Sequence, residues 1–261
     1  MFYPLLKLDN FDGRTTIHNF SPNNWEAGAL TDVFLYIFWS NGYKWKNQYI
    51  GQIRKNESLE ICTKNLSNEI FINKVAFIYP SKRKLNENLN QLPSENLYKT
   101  IVPSWRATIG IESDLTKVSY QGEMEPFPKK SSLLTFHPFL QYENFDNYLL
   151  LLNLTNEPEI IESQIEIYNG FKGELLDIKT IKTNSASLIP LNSYNFDKSE
   201  LPFFINRQTS AIPFGFGYNM DKSIMTLEHT HPPASLVLHG NRNAIQGQIK
   251  SKWFNKLSTN A

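Results

Sequence analysis

Cysteine is almost absent from this sequence. Cys62 is the only one among 261 residues, so the chain cannot form an internal disulfide or a zinc site built from several thiolates. It ends the apolar-rich run 59–62, which predicts a buried core side chain rather than a catalytic thiol. A single thiol, and a first segment that lacks the regions of a signal peptide, predict a cytoplasmic protein.

An excess of charge of one sign is also missing. Lys and Arg number 26 against 25 Asp and Glu, for a net charge of +1. Proteins that bind phosphate backbones usually carry a clear basic excess, so nucleic acid is not an expected partner. The longest apolar runs, residues 33–39 and 148–152, have the length of a strand and are too short to cross a bilayer as a helix. A membrane is therefore not an expected partner either.

Two common catalytic or nucleotide-binding motifs are missing as well. Residues 214–218 contain two glycines but lack the third glycine and the Lys-Ser/Thr pair of a phosphate-binding loop. No Gly-x-Ser-x-Gly nucleophile elbow occurs anywhere in the chain. The alternation of glycine with aromatic residues in 214–218 instead predicts a close approach of a ring or of backbone to these glycines.

Aromatic and β-branched residues, in contrast, are abundant. Phe, Tyr and Trp make up 13% of the chain, and residues 164–168 and 176–181 alternate between apolar and polar side chains, as half-buried strands do. Only the apolar residues at 249–257 follow a helical spacing. The sequence predicts an all-β fold of two tandem antiparallel β-sandwich domains, or one large sandwich, with little helix and a short C-terminal helix.

Turn residues and polar stretches predict the domain boundaries. Asn41-Gly42 lies between two aromatic runs and predicts a hairpin. The stretch rich in Asn and Pro predicts a linker or long loop at 81–104. This leaves an N-terminal β domain at 1–80, a C-terminal β-sandwich domain at 105–247 and a C-terminal tail at 248–261.

Three of the five histidines lie close together in the sequence. His229 and His231 are two residues apart, so on a strand they face the same side and can share a metal ion, with His239 as the third ligand across a turn. Zinc and iron are the metals that such a set of imidazoles suits. Alternatively, the first two histidines continue the apolar stripe of Met225 and Leu227 and have a structural role.

A second group of residues suits a sugar ligand. Trp105, Arg106, Tyr120, Gln121 and His137 combine aromatic rings with planar polar groups. A sugar needs a flat apolar surface for stacking and hydrogen-bonding groups for its hydroxyls. The alternative is that these rings are ordinary core residues.

Paired carboxylates offer a weaker signal for catalysis. Glu112 and Asp114 lie two residues apart, as do Glu123 and Glu125, which meets the separation in a glycosidase only loosely. We expect these carboxylates to lie on solvated strand faces.

The sequence as a whole favours a non-catalytic binding or assembly module that needs no cofactor and recognises a glycan or a protein partner. The alternative is a metal-dependent enzyme or metal-binding protein that uses His229, His231 and His239 with Zn or Fe, so enzymatic activity is left open. Edge strands with few protective lysines also predict a homo-oligomer.

Overall fold

The computed structural model describes residues 1–19, 32–86, 88–94, 107–136, 144–170, 172–194, 196, 202–229 and 242–258. These residues form sixteen strands, three short 3₁₀ turns and one α-helix. The strands make four sheets of four strands each, and the registered pairs are antiparallel. The all-β prediction is therefore confirmed.

The chain divides into two compact units. The N-terminal unit contains Met1–Pro126, Asn153–Ile161 and Thr183–Ala186. The C-terminal unit contains the remaining segments, Phe127–Leu152, Glu162–Lys182 and Ser187–Ala261. Each unit is assembled from segments that are not continuous in sequence.

The N-terminal unit is a sandwich of two sheets. Its strands are β1 (Tyr3–Leu6), β2 (Asp12–His18), β3 (Val33–Ser40), β4 (Trp45–Ile53), β5 (Ser58–Cys62), β6 (Val75–Ser81), β7 (Thr108–Glu112) and β8 (Lys117–Gln121). The sheet orders are β1-β6-β3-β4 and β5-β2-β7-β8. Tyr3, Leu35, Ile37, Ile78 and Ile17 belong to the apolar core between them.

Strand β3 is apolar on both faces, unlike a strand with one wet face. Leu35 and Ile37 lie in the sandwich core, whereas Phe38 on the outer face is also fully buried. Residues from the segment between β6 and β7 cover part of this outer face, because Leu89 pairs with Trp45 and the backbone N–H of Leu85 donates to the Tyr36 hydroxyl. The part of the predicted linker or long loop that the structure describes is thus packed against a sheet.

The C-terminal unit repeats the sandwich arrangement. Its strands are β9 (Leu133–Phe136), β10 (Phe145–Leu152), β11 (Glu162–Asn169), β12 (Glu174–Lys182), β13 (Ala186–Pro190), β14 (Pro202–Asn206), β15 (Ile212–Asn219) and β16 (Met225–His229). The sheet orders are β13-β10-β15-β16 and β12-β11-β14-β9. Leu149, Leu151, Ile165, Ile167 and Phe204 belong to its core.

The predicted C-terminal helix is present. Helix α1 spans Arg242–Ser258, so it begins six residues before the predicted tail at 248–261. Leu257 is fully buried against Tyr168 and Ile205, and Trp253 packs at the border of the same cluster. The helix thus covers the outer face of the sheet that contains β11 and β14.

The boundary between the two units differs from the predicted boundary between residues 104 and 105, because the first segment of the N-terminal unit extends to Pro126. Strand β7 pairs with β2, and β8 pairs with β7, so residues 108–121 lie in the N-terminal unit. The segments 153–161 and 183–186 also belong to this unit. Pairing between strands that are far apart in sequence leaves no local pattern, which is why turn signals did not reveal it.

The hairpin predicted at Asn41-Gly42 is present but wider than a two-residue turn. Strand β3 ends at Ser40 and β4 begins at Trp45. Of the turn residues, Gly42 has a positive φ of 89°. The Asn41 side-chain oxygen accepts hydrogen bonds from the backbone N–H groups of Tyr43 and Lys44, at 3.1 and 2.9 Å. These two bonds close the loop.

A buried asparagine organises the two late segments of the N-terminal unit. Asn184 is 1% exposed and has a positive φ of 53°. Its side-chain oxygen accepts the backbone N–H of Thr155 at 2.8 Å, and its side-chain nitrogen donates to the carbonyls of Glu157 and Glu159 at 2.9 and 3.1 Å. The Asn153 side chain accepts the backbone N–H of Asn184 at 2.9 Å. One amide therefore satisfies several backbone groups that are otherwise costly to bury.

Replacing Asn184 with Asp tests this role. The substitution is nearly isosteric, but it puts an oxygen where the side-chain nitrogen donates to two carbonyls. We expect the free energy of unfolding to fall by about 3 kcal/mol, as measured by urea denaturation, and Asn184→Ala to cost as much. Asn156→Asp, at an exposed position of the same segment, is the control and should change stability little. Equal stability of the Asn184 and Asn156 variants would contradict the assigned role.

The glycine at position 13 allows two strands of the N-terminal unit to approach closely. The buried Thr15 hydroxyl donates to the Pro4 carbonyl at 2.7 Å, which joins β2 to β1. A Cβ atom on Gly13 would lie 1.8 Å from the Leu6 carbonyl oxygen. This steric clash is with backbone, so β1 and β2 would have to move apart to remove it.

We therefore expect Gly13→Ala to lower the free energy of unfolding by about 3 kcal/mol. Gly110→Ala is the matched control on the neighbouring strand, because a Cβ there meets its nearest atoms at 3.5 Å, an ordinary contact. Thermal and urea denaturation of both variants provide the measurement. A Gly13→Ala variant as stable as Gly110→Ala would show that β1 can move away from β2 at little cost.

Candidate functional site

A β-bulge decides which side chains of edge strand β4 point outward. Leu35 of β3 pairs with Gly51 and Tyr36 pairs with Tyr49, so Ile50 of β4 is an extra residue that has no partner on β3. Gly51 has a φ of 151°, a conformation that favours glycine. The extra residue places Tyr49 and Gln52 on the same outer face, although they are three residues apart.

Three aromatic rings meet on this outer face. The Tyr49 ring centroid lies 5.7 Å from that of Tyr36 and 6.3 Å from that of Phe34, with interplanar angles of 59° in both cases. Tyr36 is buried, whereas Tyr49 is 50% exposed. The inner rings therefore hold an exposed ring in place from one side.

Planar amide groups border these rings. Gln52 lies opposite Phe34 in the strand pair, and its side chain donates a hydrogen bond to the Asp32 carboxylate at 3.2 Å. The Asn47 side chain donates to the Asn86 carbonyl at 2.8 Å. Each amide keeps an oxygen and nitrogen with further hydrogen-bonding capacity. We call the surface formed by Phe34, Tyr36, Asn47, Tyr49 and Gln52 the β4 face.

Of the predicted sugar-binding residues, the structure describes two, and neither belongs to the β4 face. Tyr120 and Gln121 are neighbours on β8, opposite Ile109 and Thr108, so their side chains point to opposite faces of the sheet. Trp105, Arg106 and His137 lie outside the described residues. The β4 face was not predicted, because apolar and polar residues alternate little along β4. The bulge that aligns Tyr49 with Gln52 also has no clear sequence signal.

Of the predicted metal ligands, the structure describes one. His229 ends β16 opposite Phe214, and the two ring centroids are 5.5 Å apart. His231 and His239 lie outside the described residues, so the metal site stays a prediction. Within the part of the chain that the structure describes, no group of three or more His, Cys, Asp and Glu side chains could hold a metal ion.

A buried carboxylate lies on the outer face of the other N-terminal sheet. Glu112 is 3% exposed, and its two oxygens accept hydrogen bonds from Nε and Nη2 of Arg14. The amines of Lys64 and Lys117 each lie 3.5 Å from the carboxylate. The expectation of a solvated carboxylate was wrong for Glu112, because cross-strand pairing brings three cations around it.

Arg14 keeps this carboxylate ionised. Its hydrogen bonds and positive charge lower the pKa of Glu112 below the ordinary range, against the effect of burial. Cys62 is buried in the same cluster, with its Sγ 3.9 Å from a Glu112 oxygen, which confirms the predicted burial of this cysteine. The arrangement is typical of a structural ion-pair cluster, in which a buried charge is stabilised by partners of opposite sign.

No family model, no curated protein and no solved structure matches this chain. Among the helical residues that the structure describes, none form a segment long and apolar enough to cross a membrane. The cytoplasmic location stays a prediction.

The Arg14–Glu112 pair makes a specific prediction about pH. Because the pKa of Glu112 is lowered in the folded state, the pair stabilises the fold fully above the unfolded-state pKa, and this contribution is lost as pH falls through the folded-state pKa. Arg14→Met leaves a buried charge without its main partner and should lower the free energy of unfolding by about 3 kcal/mol at neutral pH.

Urea denaturation across a pH series provides the test. The deficit of Arg14→Met should shrink as the pH falls and Glu112 becomes protonated. The control is Arg14→Met combined with Glu112→Gln, which removes the charge and should regain part of the stability at neutral pH. A deficit that does not depend on pH would mean that Arg14 acts through packing alone.

Proposed function

We propose that this chain is a non-catalytic binding module that recognises a carbohydrate through the β4 face. The observation that carries the proposal is Tyr49, a half-exposed ring held against Tyr36 and Phe34. Asn47 and Gln52 place planar hydrogen-bonding groups on the same face.

This combination supports a sugar ligand on physical grounds. A pyranose ring presents flat C–H surfaces that stack on an aromatic ring, together with hydroxyls that both donate and accept hydrogen bonds. The amides of Asn47 and Gln52 can do the same in return. Tyr49 loses little conformational freedom on binding, because neighbouring rings already restrict it.

The polar groups of the β4 face also favour an uncharged ligand. Its two amides carry no net charge, and the Asp32 carboxylate beside Gln52 disfavours an anion. A neutral hydroxyl-rich ligand is therefore the best match. The metal-dependent alternative remains a prediction, because His231 and His239 lie outside the described residues.

A glycan array with the purified chain tests the proposal. Removing the stacking ring in Tyr49→Ala should weaken binding to neutral glycans at least about fivefold, since a stacked ring contributes about 1 kcal/mol or more. Tyr49→Phe keeps the apolar ring and should retain most of the binding. Isothermal titration with the best array ligand measures the change.

Tyr43→Ala is the matched control. Tyr43 is 87% exposed in the β3–β4 turn. The substitution therefore removes the same side chain from a position outside the β4 face, and it should leave binding unchanged. Absence of any glycan signal would overturn the carbohydrate assignment, as would equal losses in the Tyr43 and Tyr49 variants. A protein captured through Tyr49, with no glycan signal, would point to a protein ligand instead.

A further inference from the structure

Strand β12 lies at the edge of a sheet in the C-terminal unit. It pairs with β11 on one side and ends the sheet order β12-β11-β14-β9. Among the described residues, no strand pairs with its other side. The backbone N–H and C=O groups along such an edge can add a further strand.

Two apolar side chains of β12 are exposed on one face. Leu175 is 37% exposed and Ile178 is 45% exposed. They pair with Tyr168 and Glu166, and the bulge at Leu176 keeps both on the same face of the sheet despite their odd spacing. An edge strand with exposed apolar side chains gains by adding a partner that buries them.

Opposite charges flank Ile178 on the other face. Asp177 and Lys179 lie on either side of it in sequence, and the lysine amine is 2.7 Å from the aspartate carboxylate. The Tyr194 hydroxyl also donates to this carboxylate at 2.8 Å. Charges in such positions disfavour pairing with an unrelated apolar edge.

We propose that a second copy of this chain adds its own β12 to this edge, antiparallel, across a two-fold axis at Ile178. A two-fold interface is self-complementary, so each contact occurs twice. In this register Ile178 faces Ile178 of the second copy, and Asp177 faces Lys179 of the second copy on both sides of the axis.

The charge order selects both the partner and the register. Centring the axis on Asp177 would place two carboxylates opposite each other, and centring it on Lys179 would place two amines opposite each other. Like charges directly opposite are destabilising in a sheet. The same charges that disfavour an unrelated strand therefore match β12 of another copy.

Charge reversal tests the pairing in the 261-residue chain. Asp177→Lys alone puts lysines opposite each other, and Lys179→Asp alone puts aspartates opposite each other. Each should weaken self-association at least about tenfold, as judged by sedimentation equilibrium over a concentration series. An equimolar mixture of the two variants should form a heterodimer, because every reversed charge then meets its opposite.

Two further variants complete this experiment. The combined variant Asp177→Lys with Lys179→Asp restores opposite charges and should dimerise as the unaltered chain does. Glu228→Lys reverses an exposed charge on edge strand β16 and should have no effect. Circular dichroism of each variant confirms that it is folded. A monomeric unaltered chain would overturn the proposal, as would a dimer that the single reversals do not weaken.

Disulfide cross-linking tests the register independently. In Ile178→Cys the new thiols face each other across the axis, with Cα atoms about 5 Å apart, a separation that a disulfide can span, so mild oxidation should link two chains. The native Cys62 is buried and does not compete. Thr180→Cys is the control, because its two copies lie about 13 Å apart in this register. Cross-linking of Thr180→Cys as readily as Ile178→Cys would exclude a two-fold axis at Ile178.

Discussion

Burial of one face of every sheet is the constraint on which this structure depends. Alternate residues of a strand point to opposite faces, so a shift by one residue would move apolar side chains from the core to solvent. Leu149 and Leu151 of β10 satisfy this constraint, as do Ile165 and Ile167 of β11. The register of the strands follows from where their apolar side chains must be.

Both proposed surfaces lie where a bulge changes this alternation. In β4 the extra residue Ile50 aligns Tyr49 with Gln52, and in β12 the extra residue Leu176 aligns Leu175 with Ile178. Bulges re-aim side chains at the edges of sheets, where pairing is needed on one side only. An edge strand can thus present a chosen set of side chains without disturbing the core.

Buried polar groups set further conditions on the N-terminal unit. Asn184 satisfies backbone groups of the segments that the unit takes from later in the chain, and Arg14 neutralises the buried Glu112. Each group is costly to bury alone and stabilising only with its partners. These pairings join residues 29 and 98 positions apart in sequence, respectively, so they form only when distant strands and loops have come together.

The sequence by itself determined what depends on neighbouring residues. Alternation at 164–168, the spacing of Trp253, Phe254 and Leu257, and the apolar surroundings of Cys62 predicted strands, a helix and a buried thiol, and the structure contains them. The tertiary structure alone decided which strands pair, where the units divide, that Glu112 is buried and that Tyr49 lies beside Tyr36 and Phe34. Those features arise from contacts between residues distant in sequence, and a bulge of one residue is enough to redirect a side chain, so no local pattern encodes them.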